Sequence, residues 1–365
     1  MKTPLVLFHS LVTAFALASV AIASPLQATE GFVRQAMLSS DFENLTPAQR
    51  SSIFLNQLKN IQLVEAQQVS QGAGITVAVI DSGINLRRED LHFLIRRNAG
   101  EIPDNGIDDD NNGLVDDVYG WNFYDNNQNL TEGTAHGSMS ASVIAARNIG
   151  VAPASKVVPI KITDPMTVAS PQSTKAALKY ALEMDHIQII NFSMGIGALD
   201  VEMLTLIKKL ENKGILLVAA AGNRGKSCAD NPSLSILNLF SNVITVGALN
   251  LPPAPVQSAS YSNHGDCVDI AAPSGEYRAN DIYSRGIISI DPDSPTGFRT
   301  YNGTSAAAPV VSGVAALIKS KYPEMSASQI KQRLLDCADK YPSLADRVLN
   351  GRVINAYRSL MGCER

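Results

Sequence analysis

Five short runs of aliphatic and β-branched residues constrain this chain more than any other feature. The first is Ile75-Thr76-Val77-Ala78-Val79-Ile80, and comparable runs follow at 157–162, 187–192, 215–220 and 243–246. Each is continuous rather than alternating, which is the pattern of a strand covered on both faces. Helical patterns separate them: Ser138 to Arg147, Ser173 to Met184 with Ala176, Ala177, Tyr180, Ala181 and Met184 in phase, and Val201 to Asn212 with Leu204, Ile207 and Leu210. Strand and helix in alternation predict an α/β fold of three layers, a doubly wound and mainly parallel sheet with helices on both faces. In such sheets functional residues collect at the carboxyl ends of strands. Asp81, in Asp81-Ser82-Gly83, stands at such an end.

The 365 residues, 45% of them hydrophobic, suffice for a sizeable core. A formal net charge of −4 gives no reason to expect a nucleic-acid partner. Lys2, the apolar stretch from Leu5 to Ile22 and the small-residue pattern Ala21-Ile22-Ala23 read as a secretory signal peptide over 1–23, with an uncleaved membrane anchor as the alternative. A secreted or periplasmic location follows, and no later segment is long and apolar enough to span a bilayer. Residues 24–55 read as a short polar N-terminal segment in which Leu45-Thr46-Pro47 marks a helix start, and 56–365 as one domain. The four cysteines, Cys228, Cys267, Cys337 and Cys363, allow three pairings. Cys228 with Cys267 and Cys337 with Cys363 is the favoured one, and buried free thiols are the alternative.

Tyr301-Asn302-Gly303-Thr304-Ser305 precedes apolar residues at Val310, Val311, Val314, Leu317 and Ile318, the spacing of one helical face. Ser305 therefore stands near a helix N-terminus, where unpaired N–H groups and the dipole can stabilise an oxyanion. A serine hydroxyl is a poor nucleophile until a neutral imidazole accepts its proton, and the imidazole needs a carboxylate to fix its tautomer. His136 lies in a glycine-flanked turn entering a helix. Asp81, His136 and Ser305 thus provide all three groups, in that chain order.

In these motifs the chain resembles the subtilisin-like serine proteases, or subtilases, over roughly residues 55–340. Val79-Ile80-Asp81-Ser82-Gly83 is similar to the family's Asp motif, His136-Gly137-Ser138 to its His motif, and Gly303-Thr304-Ser305-Ala306-Ala307-Ala308-Pro309 to its Ser motif. The resemblance implies a subtilisin-like fold and a serine endopeptidase, with Ser305 as nucleophile, His136 as general base then acid, and Asp81 as the orienting carboxylate. It further implies that Asn223, after the run Val218 to Gly222, is an oxyanion donor beside the Ser305 N–H. By the same resemblance Ser193, Met194 and Gly195 pair with an extended peptide or protein substrate. Ala220, Ala221 and Gly222 would wall a specificity pocket without fixed charge, which favours apolar or mixed side chains. A monomer is expected.

An acidic insert runs from Asp104 to Asp117. Asp108-x-Asp110-x-Asn112-Gly113 has the ligand spacing of a calcium loop, although the closing bidentate Glu is missing. Calcium held by Asp108, Asp110, Asn112, Asp116 and Asp117 is the expectation, and a solvated loop the alternative. Val118 to Phe123 is similar to subtilases that carry such an insert. Ser138 and Met139 stand where the family has Thr and a second His, and Ala306 where it has Met. These departures keep open a catalytically inactive subtilase fold serving as a binding or scaffold protein.

Overall fold

The computed structural model of the protein describes residues 45–131, 134–163, 169–195, 199–277, 285–294 and 296–363. The expected signal peptide, and the segment from 24 to 44, lie outside the described residues. The helices are α1 (Pro47–Gln57), α2 (Leu63–Val69), α3 (Glu89–His92), α4 (His136–Ala145), α5 (Pro171–Glu183), α6 (Val201–Lys213), α7 (Pro232–Leu237), α8 (Thr304–Lys321), α9 (Ala327–Asp336) and α10 (Ala356–Met361). The strands are β1 (Thr76–Asp81), β2 (Trp121–Asn122), β3 (Lys156–Lys161), β4 (Ile189–Phe192), β5 (Leu216–Ala220), β6 (Val243–Leu249), β7 (Ile270–Pro273), β8 (Ile287–Ile290), β9 (Phe298–Tyr301), β10 (Asp339–Lys340) and β11 (Arg352–Val353).

One sheet runs in the order β10-β11-β7-β6-β5-β4-β1-β3-β2. Its pairings are parallel except for β10 with β11. Continuous apolar strands bury both faces, and β1 shows how: Val77 and Val79 join one core cluster, Ala78 and Ile80 the other. The first cluster lies under α1, α2, α4 and α8, and the second under α5 and α6. Because β1 sits between β3 and β4, the chain leaves it to one side and later crosses to the other. That reversal opens a crevice at the carboxyl ends of the central strands. β8 and β9 form a separate antiparallel hairpin.

Local sequence sets the helix boundaries. Thr46 and Gln49 form a reciprocal capping box at α1 with Pro47 in the first turn, and Ser326 with Gln329 does the same at α9. Asp200 caps α6, which ends on Gly214 in the left-handed conformation. Helix α1 crosses the boundary expected at residue 55. Its Ile53 and Phe54 are buried in the core shared with α8. Gln57 also reaches the distant hairpin, donating to the Gly286 carbonyl and accepting from the Ile288 N–H at 2.8 and 2.9 Å.

Cys228 is bonded to Cys267 and Cys337 to Cys363, with Cα separations of 5.6 and 4.5 Å, the favoured pairing. No helix among the described residues is long and apolar enough to cross a membrane.

Candidate active site

Asp81 ends β1 with its side chain fully buried, where its carboxylate meets two neighbours besides its own turn. His136, the first residue of α4, places Nδ1 2.7 Å from Asp81 Oδ1, which also accepts the Ser82 N–H at 2.8 Å. A carboxylate only accepts, so Nδ1 carries the proton and Nε2 faces away from Asp81. Two glycines allow this approach, because a Cβ at position 137 would lie 2.0 Å from the Gly83 carbonyl oxygen. From one turn along α4, Ser140 Oγ comes within 3.3 Å of Asp81 Oδ2 and 2.9 Å of the Tyr301 hydroxyl.

Ser305 lies in the first turn of α8, and Pro309 shapes its surroundings. Proline has no N–H, so the Ser305 carbonyl loses the intrahelical partner it would have four residues on. Two side chains fill the vacancy: Ser193 Oγ donates to that carbonyl at 2.9 Å and Tyr301 Oη at 2.8 Å. Ser193 is itself held by Asn191 Nδ2, whose Oδ1 accepts from Ser312 on α8. The Ser305 hydroxyl donates to the Ser193 carbonyl at 2.9 Å. Proton transfer to an imidazole therefore requires exchanging that hydrogen bond.

Asn223 follows β5 and is exposed. Its Oδ1 accepts from both the N–H and the hydroxyl of Thr304, at 2.8 and 2.9 Å. This fixes the amide, leaving Nδ2 as a free-facing donor next to the start of α8. Gly303, at φ 93°, is required here, since a Cβ would sit 3.0 Å from Asn223 Nδ2 in a backbone region L residues rarely adopt. Asn263 clamps the loop from the other side: its Nδ2 donates to the Ala221 carbonyl while its Oδ1 accepts from the N–H groups of Arg224 and Lys226. The Cys228–Cys267 bond brackets this clamp.

A cleft of 570 Å³ opens over these groups, lined among others by His136, Met139, Ser193, Met194, Arg299 and Ser305. Gly195 lines it as well, so the three residues expected to pair with substrate border one space with His136 and Ser305. Ala220, Ala221 and Gly222, expected to wall a specificity pocket, are not among the residues that line this cleft: Ala220 and Ala221 are buried, and Gly222 donates its N–H to Thr304 Oγ1 at 3.0 Å. A mainly parallel sheet that brings a Ser and an Asp-bonded His to one cleft, with an amide fixed against the residue before that Ser, fits a serine hydrolase.

Comparison with known sequences decides which kind, because the profile of the subtilase family matches residues 72–353. The chain belongs to the subtilase family. It is 31% identical over 269 residues to a subtilisin of Bacillus pumilus, covering 72% of this chain and 83% of that protein. Thermitase of Thermoactinomyces vulgaris is 28% identical over 309 residues, covering 83% of this chain and 94% of its own. Among solved structures, a protease of Pseudoalteromonas arctica superposes with a TM-score of 0.66 at 23% identity, over 86% of this chain and 97% of that one, a likeness of fold. This subtilase is accordingly a serine endopeptidase, and its substrates are peptides or proteins.

The acidic loop of the subtilase differs in detail from the ligand set its spacing predicts. Asp110 and Asp117 come together with Glu101, their carboxylate oxygens lying within 4.8 Å of one another. Glu101 stands three residues before the acidic run begins and outside the Asp-x-Asp-x-Asn-Gly spacing that defines the loop, and is 2% exposed. Asp108 instead accepts from the Asn112 and Gly113 N–H groups, and Asp116 from those of Asn105 and Gly106. Asn112 Nδ2 and Asn98 Nδ2 each bridge Asp110 and Asp117, donors standing between like charges. Tyr180, from α5, donates to Asp117 Oδ2 at 2.7 Å. Burial raises the Asp117 and Glu101 carboxyls above the ordinary range, and the charge of Asp110 adds to both. Three clustered carboxylates with costly negative charge fit a hard divalent cation.

Sequence reasoning missed Ser140 and Tyr301. Ser140 lies four residues after His136, on the same helical face, and that spacing was the available signal. Tyr301 ends an alternating strand and reads as core, which it also is at 3% exposure. Burial pushes its phenol well above its usual range, the Asp81 charge adding to the effect, so the hydroxyl keeps its proton.

Proposed function

We propose that this subtilase is a secreted or periplasmic endopeptidase that cleaves extended peptides through an acyl-enzyme on Ser305. The observation that carries this reading is the 2.7 Å contact of His136 with buried Asp81 beside Ser305 in one cleft. Residues 45–363 form the catalytic unit, since α1 shares its core. A substrate strand pairing with residues 193–195 brings a backbone N–H to the Ser193 carbonyl. It takes over the hydrogen bond now held by the Ser305 hydroxyl, which turns to His136. Oγ then bonds to the scissile carbonyl carbon as its proton passes to Nε2, and Asp81 stabilises the imidazolium. Asn223 Nδ2 and the Ser305 N–H receive the negative oxygen. The C–N bond breaks, Nε2 returns the proton to the leaving amine, and water repeats the sequence in reverse to release the acid.

Glu101, Asp110 and Asp117 would hold calcium, which would supply positive charge that stiffens the loop and takes no part in the chemistry. Two disulfides and the leader-like residues 1–23 support an oxidising compartment. The catalytic assignment is tested by labelling with a fluorophosphonate probe. Wild type should label and both Ser305→Ala and His136→Ala should not. Labelling of all three alike, or of none, would overturn it in favour of an inactive binding protein.

A further inference from the structure

We propose that Tyr301 is a positioning residue that stabilises the charged form of His136, a step that rests on His136 being the base. Its hydroxyl lies 3.3 Å from His136 Nε2, and the two rings meet edge to face with centroids 5.4 Å apart. The direction of the hydrogen bond follows from counting protons. The phenol has one, and its 2.8 Å partner, the Ser305 carbonyl that Pro309 leaves open, can only accept. With that proton engaged, the Tyr301 oxygen turns lone pairs toward its other neighbours, which include Ser193, His136 Nε2 and Ser140 Oγ at 2.9 Å, and Ser140 then gives its single proton to Tyr301 rather than to Asp81, 3.3 Å away. Neutral His136 presents a lone pair there, whereas the imidazolium presents an N–H. Tyr301 thus favours the imidazolium, at Nε2, as Asp81 does at Nδ1.

The phenol is fixed in place from behind. β9 is paired with β8, and a Cβ at Gly286 would lie 2.7 Å from the Tyr301 carbonyl oxygen, so the hairpin base is closely packed. Asp81 from β1 and Tyr301 from β9 both face the His136 ring, at Nδ1 and Nε2 respectively. Arg299 lines the same cleft and is paired at 3.3 Å with both Asp291 and Asp293.

The kinetic consequence distinguishes this role from simple packing. At neutral to alkaline pH the resting base is uncharged and only the transition state contains imidazolium, so Tyr301 lowers the barrier. In acid both resting enzyme and transition state contain imidazolium, and the contribution cancels. Tyr301→Phe should lower the plateau of kcat/KM by about threefold to tenfold, the effect of one long hydrogen bond to a charged group. The loss should appear in kcat with KM unchanged. The acid limb should move to lower pH by about half to one unit, so that the two enzymes converge in acid.

The experiment is the pH profile of peptide hydrolysis for wild type, Tyr301→Phe and His136→Ala, with melting curves for each. A loss of equal size at every pH, no loss, or a limb moved upward would overturn the role of Tyr301. An active His136→Ala would instead overturn the assignment of the base. Should Tyr301→Phe fail to melt cooperatively, the wild-type chain labelled with 15N-histidine decides. Below the acid limb a slowly exchanging Nε2–H signal supports the hydrogen bond, and a rapidly exchanging one overturns it.

Discussion

Pro309 shapes the surroundings of Ser305 from four residues away. In an uninterrupted helix the Ser305 carbonyl would bond along the axis, but here it accepts from the hydroxyls of Ser193 and Tyr301. Pro309→Ala restores an N–H aimed at that carbonyl and sets three donors against two lone pairs. The variant should melt at the same temperature or higher, since a helix-breaking residue is removed. Its kcat/KM should fall by about fivefold, the worth of one displaced hydrogen bond of about 1 kcal/mol. Hydrolysis kinetics beside calorimetry check both, and unchanged activity would show that the two hydroxyls do not hold Ser305. Asp81, His136 and Ser305 stand out in the sequence because each sits at a turn marked by glycine, where strand or helix periodicity stops, and Asn223 through the resemblance of the run before it; the structure bonds Asp81 to His136 and brings His136 and Ser305 to one cleft. Ser140 and Tyr301 do not stand out, because neither breaks its element's pattern and their meeting depends on packing across 161 residues of chain.

At the scale of elements, α1 ties the N-terminal region to the hairpin that presents Tyr301. Gln57 bonds the base of β8, Arg50 stacks 4.0 Å above the Phe298 ring, and Arg88 donates to the carbonyls of Asp291, Ser294 and Gly297 at the hairpin turn. The helix start was readable from Thr46, Pro47 and Gln49, whereas its place in the core was not. A polar helix with three adjacent apolar residues, Ile53, Phe54 and Leu55, has no strong face of its own, and the hairpin residue that Gln57 meets is more than 200 residues away. Phe54, 1% exposed, reports the consequence. Phe54→Ala should cost about 3–5 kcal/mol, the usual price of an aromatic cavity. A chain beginning at residue 58 should fail to melt cooperatively, while one beginning at 45 should keep a cooperative transition. Equal melting curves for the two truncations would make α1 a dispensable appendage.

For the whole molecule, the acidic loop is coupled to the sheet rather than hung from it. Asp117 is fully buried and receives the hydroxyl of Tyr180, a core residue of α5, so anything that settles Asp117 settles the layer behind it. The spacing of acids in the sequence located the loop, but the grouping with Glu101 depends on how the chain folds back. With no cation, the raised carboxyls of Glu101 and Asp117 bind protons more tightly in the folded state than in the unfolded one. Their share of stability is therefore present at low pH and lost as pH rises through their folded titrations. A cation needs them ionised and has the opposite dependence. Calcium at about 100 times its dissociation constant should stabilise the fold by about 2.7 kcal/mol near neutral pH. That increment should shrink steadily as the pH is lowered and the carboxyls protonate. Asp117→Asn should abolish it at every pH, whereas Asp108→Asn, whose carboxylate is spent on backbone N–H groups, should retain it. Melting temperatures with and without chelator, between neutral pH and mild acid, measure all three. A calcium increment that survives in Asp117→Asn, or that vanishes in Asp108→Asn alone, would move the ion out of the Glu101 cluster and back to the ligands the spacing suggests.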